Sequence, residues 1–272
     1  MTRELNGAEL AGFIKERQLK QVRNLRQEYG VVPTLCIVMS DTADPVIEMY
    51  VRLKVSYAKD IMVEVQTIRV PEGAMIKMIN DANIDSNVHG IIVQLPLKNV
   101  SQISSIVTSI LPNKDVDGLG SDAIFTSATA QAIDWLLSGY NIALRNKRIA
   151  LLGRGRLVNA PLEKLWRSYG YQIVSFDIDS GDIRGSLLES DVIVTATGVP
   201  GRLTSADVRT GAVVVDAGTA SESGVIVGDA ADDLRQRQDI TITPIKGGVG
   251  PLTVAVLFDH VIQAALKSVG KL

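Results

Sequence analysis

The sequence has little cysteine, little histidine and little net charge, and each shortage excludes a class of protein. Its 272 residues include one cysteine, Cys36, and two histidines, so neither a disulfide framework nor a cysteine-based metal site is available. Lys and Arg number 28 against 30 Asp and Glu, and the net charge of -2 gives no electrostatic argument for binding nucleic acid. We therefore expect no metal and no nucleic-acid partner.

Long hydrophobic runs are also missing. No uninterrupted run reaches the ~18 apolar residues of a membrane-spanning helix, and the opening residues, Met-Thr-Arg-Glu-Leu, lack the apolar core of a signal peptide. The chain is 46% apolar and 21% charged, which is typical of a folded protein rather than a disordered one. We expect a cytoplasmic protein without a membrane partner, built as one large domain or two ordinary ones.

Apolar strand-like runs alternate with helical patterns along the whole chain. The first series of strand-like runs covers 35–39, 62–68 and 88–93, and the second begins at 148–152 and continues to 240–243. Alternation with helices of about a dozen residues predicts mainly parallel sheets in an α/β fold. The connection near residue 128 has a helical pattern, which favours two α/β lobes across a cleft.

A glycine-rich stretch stands out near the end of the chain. Residues Gly247–Thr253 read Gly-Gly-Val-Gly-Pro-Leu-Thr, after a β-rich run and before a helical pattern that starts at Val254. Glycine permits close backbone approach and proline removes a donor, so we predict a strand-to-helix turn of bare backbone facing a ligand. The alternative is a tight connecting turn and nothing more.

A second turn has the pattern of a dinucleotide site. The strand at 149–152 is followed by Gly153 and Gly155, then by a helix and a strand that ends on Asp177, while Val158 replaces the third glycine of the usual fingerprint. This predicts a Rossmann-type domain; the alternative is a plain strand-to-helix turn with a solvated aspartate. A carboxylate at Asp177 favours the ribose hydroxyl of NAD, whereas Arg154 and Arg156 suit the 2′-phosphate of NADP.

Polar residues of the first lobe are individually ordinary. Tyr50 and Lys54 are four apart and share a helix face, Gln94 ends an apolar strand, and Asp117 lies in an Asp-Val-Asp-Gly turn signal. Each has a structural explanation: a surface pair, a strand-end cap and a turn.

Their combination is specific. Five motifs occur in this order: Tyr50-Val-Arg-Leu-Lys54, Gly90-Ile-Ile-Val-Gln-Leu-Pro-Leu97, Lys114-Asp-Val-Asp-Gly118, Gly153-Arg154 and the Gly247–Thr253 stretch. Together they resemble the bifunctional methylenetetrahydrofolate dehydrogenase/cyclohydrolase family (FolD-type) over essentially the whole chain. The resemblance implies oxidation of 5,10-methylenetetrahydrofolate with NADP or NAD, hydrolysis of the methenyl product to 10-formyltetrahydrofolate, and a homodimer in one-carbon metabolism and purine biosynthesis.

The resemblance also implies domains and residue roles. Residues 1–127 with 251–272 are expected to form the folate and catalytic domain, and 128–250 the Rossmann-type NAD(P)-binding domain. The implied catalytic residues are Lys54, Tyr50, Gln94 and Asp117. The implied substrate-binding residues are Tyr50, Gln94, Leu95, Pro96, Asp117, Gly250 and Pro251. The implied cofactor-binding residues are Gly153, Arg154, Gly155, Arg156, Val158, Asp177, Ala196, Thr197, Gly198, Gly218, Gly248 and Thr253.

Several departures from the family pattern keep other interpretations open. Ile47 replaces a serine, residues 127–130 keep only the threonine of a Pro-Cys-Thr-Pro turn, and Lys246 replaces a proline. Asp177-Ile178 stands where the family pattern has His-Ser. One alternative is an enzyme that has lost the cyclohydrolase step. Others are a non-catalytic folate- or nucleotide-binding homologue and a two-lobed NAD(P) dehydrogenase that acts on a shikimate-like substrate.

Overall fold

The computed structural model describes residues 3–177, 179–222 and 225–271. The strands are, in chain order, β1 (Arg3–Glu4), β2 (Thr34–Ser40), β3 (Glu64–Val70), β4 (Gly90–Val93), β5 (Ile149–Leu152), β6 (Ile173–Phe176), β7 (Val192–Thr195), β8 (Val213–Asp216), β9 (Ala220–Glu222), β10 (Val225–Val227) and β11 (Thr241–Ile242). The helices are α1 (Gly7–Tyr29), α2 (Pro45–Asp60), α3 (Met75–Ile84), α4 (Ile103–Thr108), α5 (Ala128–Gly139), α6 (Asn159–Ser168), α7 (Arg184–Leu188), α8 (Asp232–Arg235) and α9 (Val249–Ser268).

Two compact units divide the chain. One, called the substrate unit below, comprises Gly12–Ala128 and the C-terminal segment from Val254; the other, the nucleotide unit, comprises the chain up to Ala11 together with Thr129–Thr253. The sequence had placed residues 1–127 and 251–272 in one domain. The structure groups the first residues with the nucleotide unit because β1 pairs with β11 there.

The substrate unit contains a three-stranded parallel sheet in the order β3-β2-β4. Every residue of the central strand β2 is buried, whereas the edge strand β3 is largely exposed. Burial on both faces explains why β2 is a continuous apolar run rather than an alternating one. In the register of this sheet Val38 lies beside Val93, so β2 and β4 end at the same edge of the sheet. Gln94 is the first residue after β4 and therefore lies at this edge.

The nucleotide unit contains a six-stranded parallel sheet in the order β1-β11-β8-β7-β5-β6, and a separate antiparallel pair of β9 and β10. Strand β5 comes first in this half of the chain and has β6 on one side and β7 on the other. The chain therefore reverses its direction of progress across the sheet between β5 and β7, which is the switch point where open α/β sheets bind ligands. The predicted class, two α/β parts with a Rossmann-type second part, is confirmed.

The glycine-rich stretch is partly helical, which corrects one prediction. Helix α9 begins at Val249 and not at Val254, so Gly250, Pro251 and Thr253 belong to its first turns. Proline is compatible with this position because the first backbone N–H groups of a helix have no intrahelical acceptor to lose. Only Gly247 and Gly248 form the turn itself, with Gly247 at a φ of 85°.

Helix α9 is also long and apolar enough, by length and composition, to cross a membrane. It is the one such helix in the described part of the chain, and 67% of its most apolar window is buried within the structure. The core helix of a folded domain has the same properties. Asp259 and His260 lie within this helix, so it is not an uninterrupted apolar run in the sequence.

Candidate functional site

In the substrate unit, Lys54 and Gln94 are brought together by helix α2 and strand β4. Helix α2 starts at a defined point because the Asp44 side chain accepts hydrogen bonds from the backbone N–H groups of Val46 and Ile47, both at 2.9 Å. The Lys54 Nζ donates to Gln94 Oε1 at 2.9 Å. Gln94 is itself buried, and its Nε2 donates to the Leu95 carbonyl at 3.0 Å, which fixes its amide orientation.

Lys54 and Asp117 are electrostatically coupled. Burial lowers the pKa of Lys54, and the Asp117 carboxylate opposes this shift. Burial raises the pKa of Asp117 to about 6, with Lys54 lowering it and Asp115 raising it further. The pKa values of both groups are therefore shifted towards neutrality, and such values suit groups that transfer protons. Tyr50, one helical turn before Lys54, is half-buried, and burial raises its pKa.

The segment around Asp117 is held by residues whose roles the sequence did not reveal. Asp115 is buried, and its carboxylate accepts from the backbone N–H groups of Gly118 at 3.0 Å and Gly120 at 2.7 Å. Gly118 has a φ of 68°, and a Cβ there would lie 2.6 Å from the Thr126 backbone, so glycine is required. The two carboxylates of the Asp-Val-Asp motif thus differ: Asp115 shapes the loop and Asp117 remains available.

Lys114 of the same motif has a structural position. Its Nζ donates to the carbonyl oxygens of Ala82 at 3.1 Å and Asp85 at 2.6 Å, at the C-terminal end of helix α3. A cation there satisfies carbonyl groups that lack intrahelical partners and complements the helix dipole.

In the nucleotide unit, the predicted cofactor-binding residues follow neighbouring strand ends. Leu152 pairs with Phe176 on one side and with Thr195 on the other, and Thr195 pairs with Asp216. The residues that come next, Gly153, Asp177, Ala196 and Ala217, are therefore at the same edge of the sheet. This edge contains the switch point between β5 and β7.

Gly153 lies against the segment that follows β7. Its φ is 91°, and a Cβ at this position would be 2.7 Å from the Ala196 carbonyl oxygen. Asn159, at the start of α6, closes the turn by donating from Nδ2 to the Gly153 carbonyl at 3.0 Å. A Cβ at Gly155 would meet nothing within 4 Å, so the backbone there is open to a ligand.

The charged residues that bear on cofactor choice are at the surface. Arg154 is exposed, and its Nη2 donates to the Ser175 carbonyl at 3.4 Å. Asp177 is exposed at the end of β6, and its backbone N–H donates to Ser180 Oγ at 2.7 Å. Arg156 is exposed as well. Ile178, where the family pattern has a serine, lies outside the described residues.

Two aspartates with buried side chains lie behind this edge, and the sequence indicated a structural role for neither of them. Asp216 accepts from the backbone N–H groups of Gly218, Asp229 and Ala230, each at 3.0 Å, and forms an ion pair with Arg235. A Cβ at Gly218 would lie 2.2 Å from Asp229 Oδ1, so this glycine makes room for a side chain of the protein itself. No sequence motif includes Asp229, because it lies in a loop that is distant in sequence from the ends of β7 and β8.

The glycines near the start of α9 have two different surroundings. A Cβ at Gly7 would lie 2.0 Å from the Gly248 carbonyl oxygen, and Ala8 N donates to the Gly247 carbonyl at 2.9 Å. Gly248 is therefore a packing position against the start of α1. A Cβ at Gly250 would meet nothing within 4 Å. Thr253 Oγ1 donates back to the Val249 carbonyl at 3.2 Å.

These features fit a dinucleotide. The backbone is open at Gly155 and at Gly250, while Gly153 packs closely against the small residues that follow β7. Among the described residues, the buried Asn159 Oδ1 at the start of α6 also has no hydrogen-bond partner. Helix N-termini with such glycine turns bind phosphate groups.

Comparisons with known proteins match the whole chain. Residues 5–117 match the profile described as "Tetrahydrofolate dehydrogenase/cyclohydrolase, catalytic domain", and residues 127–269 match the corresponding NAD(P)-binding domain. The "Bifunctional protein FolD" of Streptococcus uberis is 32% identical over 283 residues, covering 99% of each chain.

Solved structures agree with this match. The bifunctional FolD enzyme of Campylobacter jejuni is 28% identical with a TM-score of 0.91, covering 98% of this chain and 99% of that one. The FolD enzyme of Trypanosoma brucei, solved in complex with NADP and an inhibitor, is 27% identical with a TM-score of 0.91 and covers 98% of both chains.

Proposed function

Since this chain belongs to the tetrahydrofolate dehydrogenase/cyclohydrolase family, we propose that Lys54, Gln94 and Asp117 form the centre of its active site. The protein oxidises 5,10-methylenetetrahydrofolate with NAD+ or NADP+ and hydrolyses the methenyl product to 10-formyltetrahydrofolate. The observation that carries the residue assignment is the 2.9 Å hydrogen bond between Lys54 and Gln94, with Asp117 coupled to the same ammonium group.

Lys54 is the group that moves a proton in the hydrolytic step. Water adds to the carbon between the two nitrogens of the cationic methenyl ring, one carbon–nitrogen bond breaks, and one proton is released overall. An ordinary lysine has a pKa of about 10.4 and is almost fully protonated near neutrality. Burial lowers the pKa of Lys54, which increases the neutral fraction that accepts a proton from the attacking water.

Gln94 and Tyr50 orient this lysine and the substrate. Gln94 accepts the Lys54 hydrogen bond through a neutral oxygen, so it fixes the direction of the amine without adding a charge beside it. Tyr50 is one turn away on the same helix face and stacks on or hydrogen-bonds the folate. Leu95 and Pro96 continue the Gln94 segment as substrate-binding residues, and Gly250 and Pro251 supply backbone contacts.

Asp117 binds the pterin ring. A carboxylate accepts hydrogen bonds from the ring nitrogens, and its pKa of about 6 means that it is mostly ionised at neutral pH. Because Asp115 and Gly118 determine the loop conformation, Asp117 is held in place without using its own carboxylate for structure.

The dehydrogenase step depends on the nucleotide unit. When bound, NAD(P)+ supplies the hydride acceptor. We assign its binding to backbone and side chains of Gly153, Arg154, Gly155, Arg156 and Val158, and to Asp177, Ala196, Thr197, Gly198, Gly218, Gly248 and Thr253. Asp177 favours NAD, because its carboxylate accepts from ribose hydroxyls and repels a 2′-phosphate.

We propose a cytoplasmic homodimer that has no membrane or nucleic-acid partner. The near-neutral net charge supports the last point. Strand β6 lies at one edge of the six-stranded sheet, with Val174 55% exposed, and is available for association. Light scattering of the purified protein measures the oligomeric state.

The decisive experiment follows both steps at once. Purified protein is mixed with methylenetetrahydrofolate and either NAD+ or NADP+, and the absorbances of reduced cofactor and methenyl folate are recorded. Appearance of reduced cofactor without accumulation of methenyl folate supports both activities. Accumulation of methenyl folate indicates a dehydrogenase that has lost the hydrolytic step, and no reduction of either cofactor overturns the proposal.

Lys54 is tested in the same assay with methenyl folate supplied directly. Lys54→Met is expected to lower the hydrolytic kcat by about 10²- to 10⁴-fold, the usual contribution of a positioned acid or base. The matched control is Lys59→Met, which removes an exposed lysine from the last turn of the same helix. Equal activity of the two variants contradicts the role assigned to Lys54.

A further inference from the structure

Asp229 is a fully buried carboxylate at the edge of the sheet assigned to the cofactor. Its exposed fraction is 0%, and it lies beyond the ends of β7 and β8 in a loop without a sequence motif. Three donors converge on its Oδ2: Thr195 Oγ1 at 2.6 Å, the Thr197 backbone N–H at 2.6 Å and Thr197 Oγ1 at 2.9 Å. One oxygen therefore holds both ends of the Thr195–Thr197 segment.

This segment lies against the nucleotide turn. A Cβ at Gly153 would be 2.7 Å from the Ala196 carbonyl oxygen and 3.4 Å from the Thr197 Cα, so the two loops are in close contact. A change of backbone conformation at Ala196 or Thr197 would displace Gly153 as well. The position of Thr197 thus affects both segments that contribute predicted cofactor contacts.

Asp229 is in turn held rigidly. Its backbone N–H donates to Asp216 Oδ1 at 3.0 Å, and the next residue, Ala230, donates to Asp216 Oδ2 at 3.0 Å. Arg235 pairs with Asp216 and donates to the Thr243 carbonyl at 3.2 Å. The loop that carries Asp229 is therefore anchored to strand β8 by an arginine–aspartate pair. Asp229 Oδ2 in turn holds Thr197 in a fixed position.

The second oxygen of Asp229 has no hydrogen-bond partner among the described residues. A buried carboxylate oxygen without a partner costs stability. A gain in stability alone therefore does not explain why an aspartate occupies this position. The three donors that converge on its other oxygen explain it better, because they fix the Thr195–Thr197 segment.

We propose that Asp229 is a positioning residue of the NAD(P) site, whose Oδ2 sets the conformation of the Thr195–Gly198 segment against the cofactor. The inference rests on the proposed placement of the cofactor at this segment. Asp229 does not touch the cofactor and acts through Thr195 and Thr197. Replacing Asp229 is therefore expected to weaken cofactor binding and to leave the rate of the chemical step in the bound complex nearly unchanged.

The test is a titration of the purified full chain with NADP+ and with NAD+, which measures Kd without catalysis. Asp229→Ala removes the acceptor and is expected to raise the Kd at least about tenfold, the equivalent of one to two lost hydrogen bonds. Asp229→Asn keeps one acceptor oxygen and is expected to stay within about threefold of the unchanged protein. In the dehydrogenase assay, the KM for the cofactor should rise with Kd while kcat at saturation changes little.

Asp191→Ala is the matched control. Asp191 precedes β7, at the opposite end of the same strand, and also accepts a backbone hydrogen bond, from Arg148 at 2.9 Å, while pairing with Arg209. It is expected to lower the melting temperature without changing the Kd. Equal Kd values for Asp229→Ala and Asp191→Ala overturn the inference.

Thr195→Val keeps the test open if Asp229→Ala does not fold. Thr195 is fully buried, so its hydroxyl reaches Asp229 and not the cofactor. Removing one of the three donors is expected to raise the Kd about threefold, and an unchanged Kd counts against the inference. If the unchanged protein binds neither NADP+ nor NAD+, the proposed cofactor site is wrong, and the role of Asp229 with it.

Discussion

The Nδ1 atom of His260 lies 2.8 Å from the carbonyl oxygen of Val116, the residue immediately before Asp117. Because a carbonyl oxygen only accepts, Nδ1 carries the proton in this contact. Burial lowers the pKa of His260, so the ring is neutral and has a single N–H. The imidazole ring of His260 also stacks on the Phe125 ring, at a centroid distance of 4.7 Å. The C-terminal helix thus supports the loop on both sides of Asp117.

Replacement of His260 should therefore affect folate binding as well as stability. His260→Leu leaves the buried Val116 carbonyl without a donor and is expected to cost about 1–3 kcal/mol of unfolding free energy. It should also raise the KM for folate, because Asp117 loses its support. Denaturant unfolding and steady-state kinetics measure the two effects.

The second histidine provides the control for His260. His89 is also buried, but its Nδ1 accepts from the Thr34 backbone N–H at 3.3 Å and does not bond the residue before Asp117. His89→Leu is expected to lower stability with little change in KM. A KM that rises equally in both variants means that His260 has no special relation to Asp117.

A negative charge at Gln94 should move the pH profile of hydrolysis upward. In Gln94→Glu, a carboxylate replaces the neutral oxygen that accepts the Lys54 hydrogen bond at 2.9 Å. An adjacent carboxylate favours the ammonium form and opposes the lowering of the Lys54 pKa by burial. If hydrolysis requires neutral Lys54, the rising limb of its pH profile should move to higher pH by about one pH unit or more.

Gln66→Glu provides the comparison for this shift. Gln66 lies on the edge strand β3 of the same sheet and is exposed, so a charge there is screened by solvent. The rising limb of kcat against pH should move in Gln94→Glu alone. An unmoved limb in Gln94→Glu shows that Lys54 is not the group that titrates.

The carboxyl of Asp117 should make the protein less stable as the pH rises. Its pKa is raised from 3.8 to about 6 in the folded state, so the folded state binds this proton more tightly than the unfolded chain. The stabilisation is fully present below about pH 4 and is lost as the pH rises through about 6.

Asp117→Asn removes this dependence. At pH 7.5 it is expected to be more stable than the unchanged protein by roughly 3 kcal/mol, and below about pH 4 the two should be nearly equal. Urea unfolding at a series of pH values measures the difference. The same variant should bind folate weakly, since the amide no longer provides a charged acceptor for the pterin. A stability difference that is constant with pH contradicts the raised pKa.

Asp177 should determine the preference between NAD and NADP. Asp177→Ser removes a charge at the exposed end of β6, near Arg154, and is expected to increase kcat/KM for NADP about tenfold relative to NAD. Asp179→Ser, two residues further along and also exposed, is the control. A strong preference for NADP in the unchanged protein would contradict the argument from Asp177.

The sequence predicted the two α/β parts because most strands are short apolar runs that burial on both faces makes conspicuous. It did not predict β1, since Arg3 and Glu4 have no strand pattern and their pairing with Thr241 and Ile242 is remote in the chain. The start of α9 was placed five residues late, at Val254 instead of Val249, because glycine and proline are read as turn residues although a first helical turn accepts them.

For the site, the sequence supplied residues but not their supports. Lys54 and Gln94 were expected on neighbouring elements, and the structure adds the hydrogen bond between them. Asp229 and His260 lie in segments without motifs, and their importance comes from contacts that no local pattern encodes. Gly218 stays a predicted cofactor contact, and the structure adds another reason for glycine there, because the Asp229 side chain occupies the space a Cβ would need.

The pairing of β1 with β11 has a consequence for how the nucleotide unit is made. Its sheet is completed by one strand from each end of the sequence, and Leu5 N also donates to the Ile242 carbonyl at 3.0 Å. During synthesis the first strand therefore waits for nearly the entire chain before its partner leaves the ribosome. A fragment beginning at Thr129 lacks β1, so the β11 edge is left unpaired and open to association with another chain.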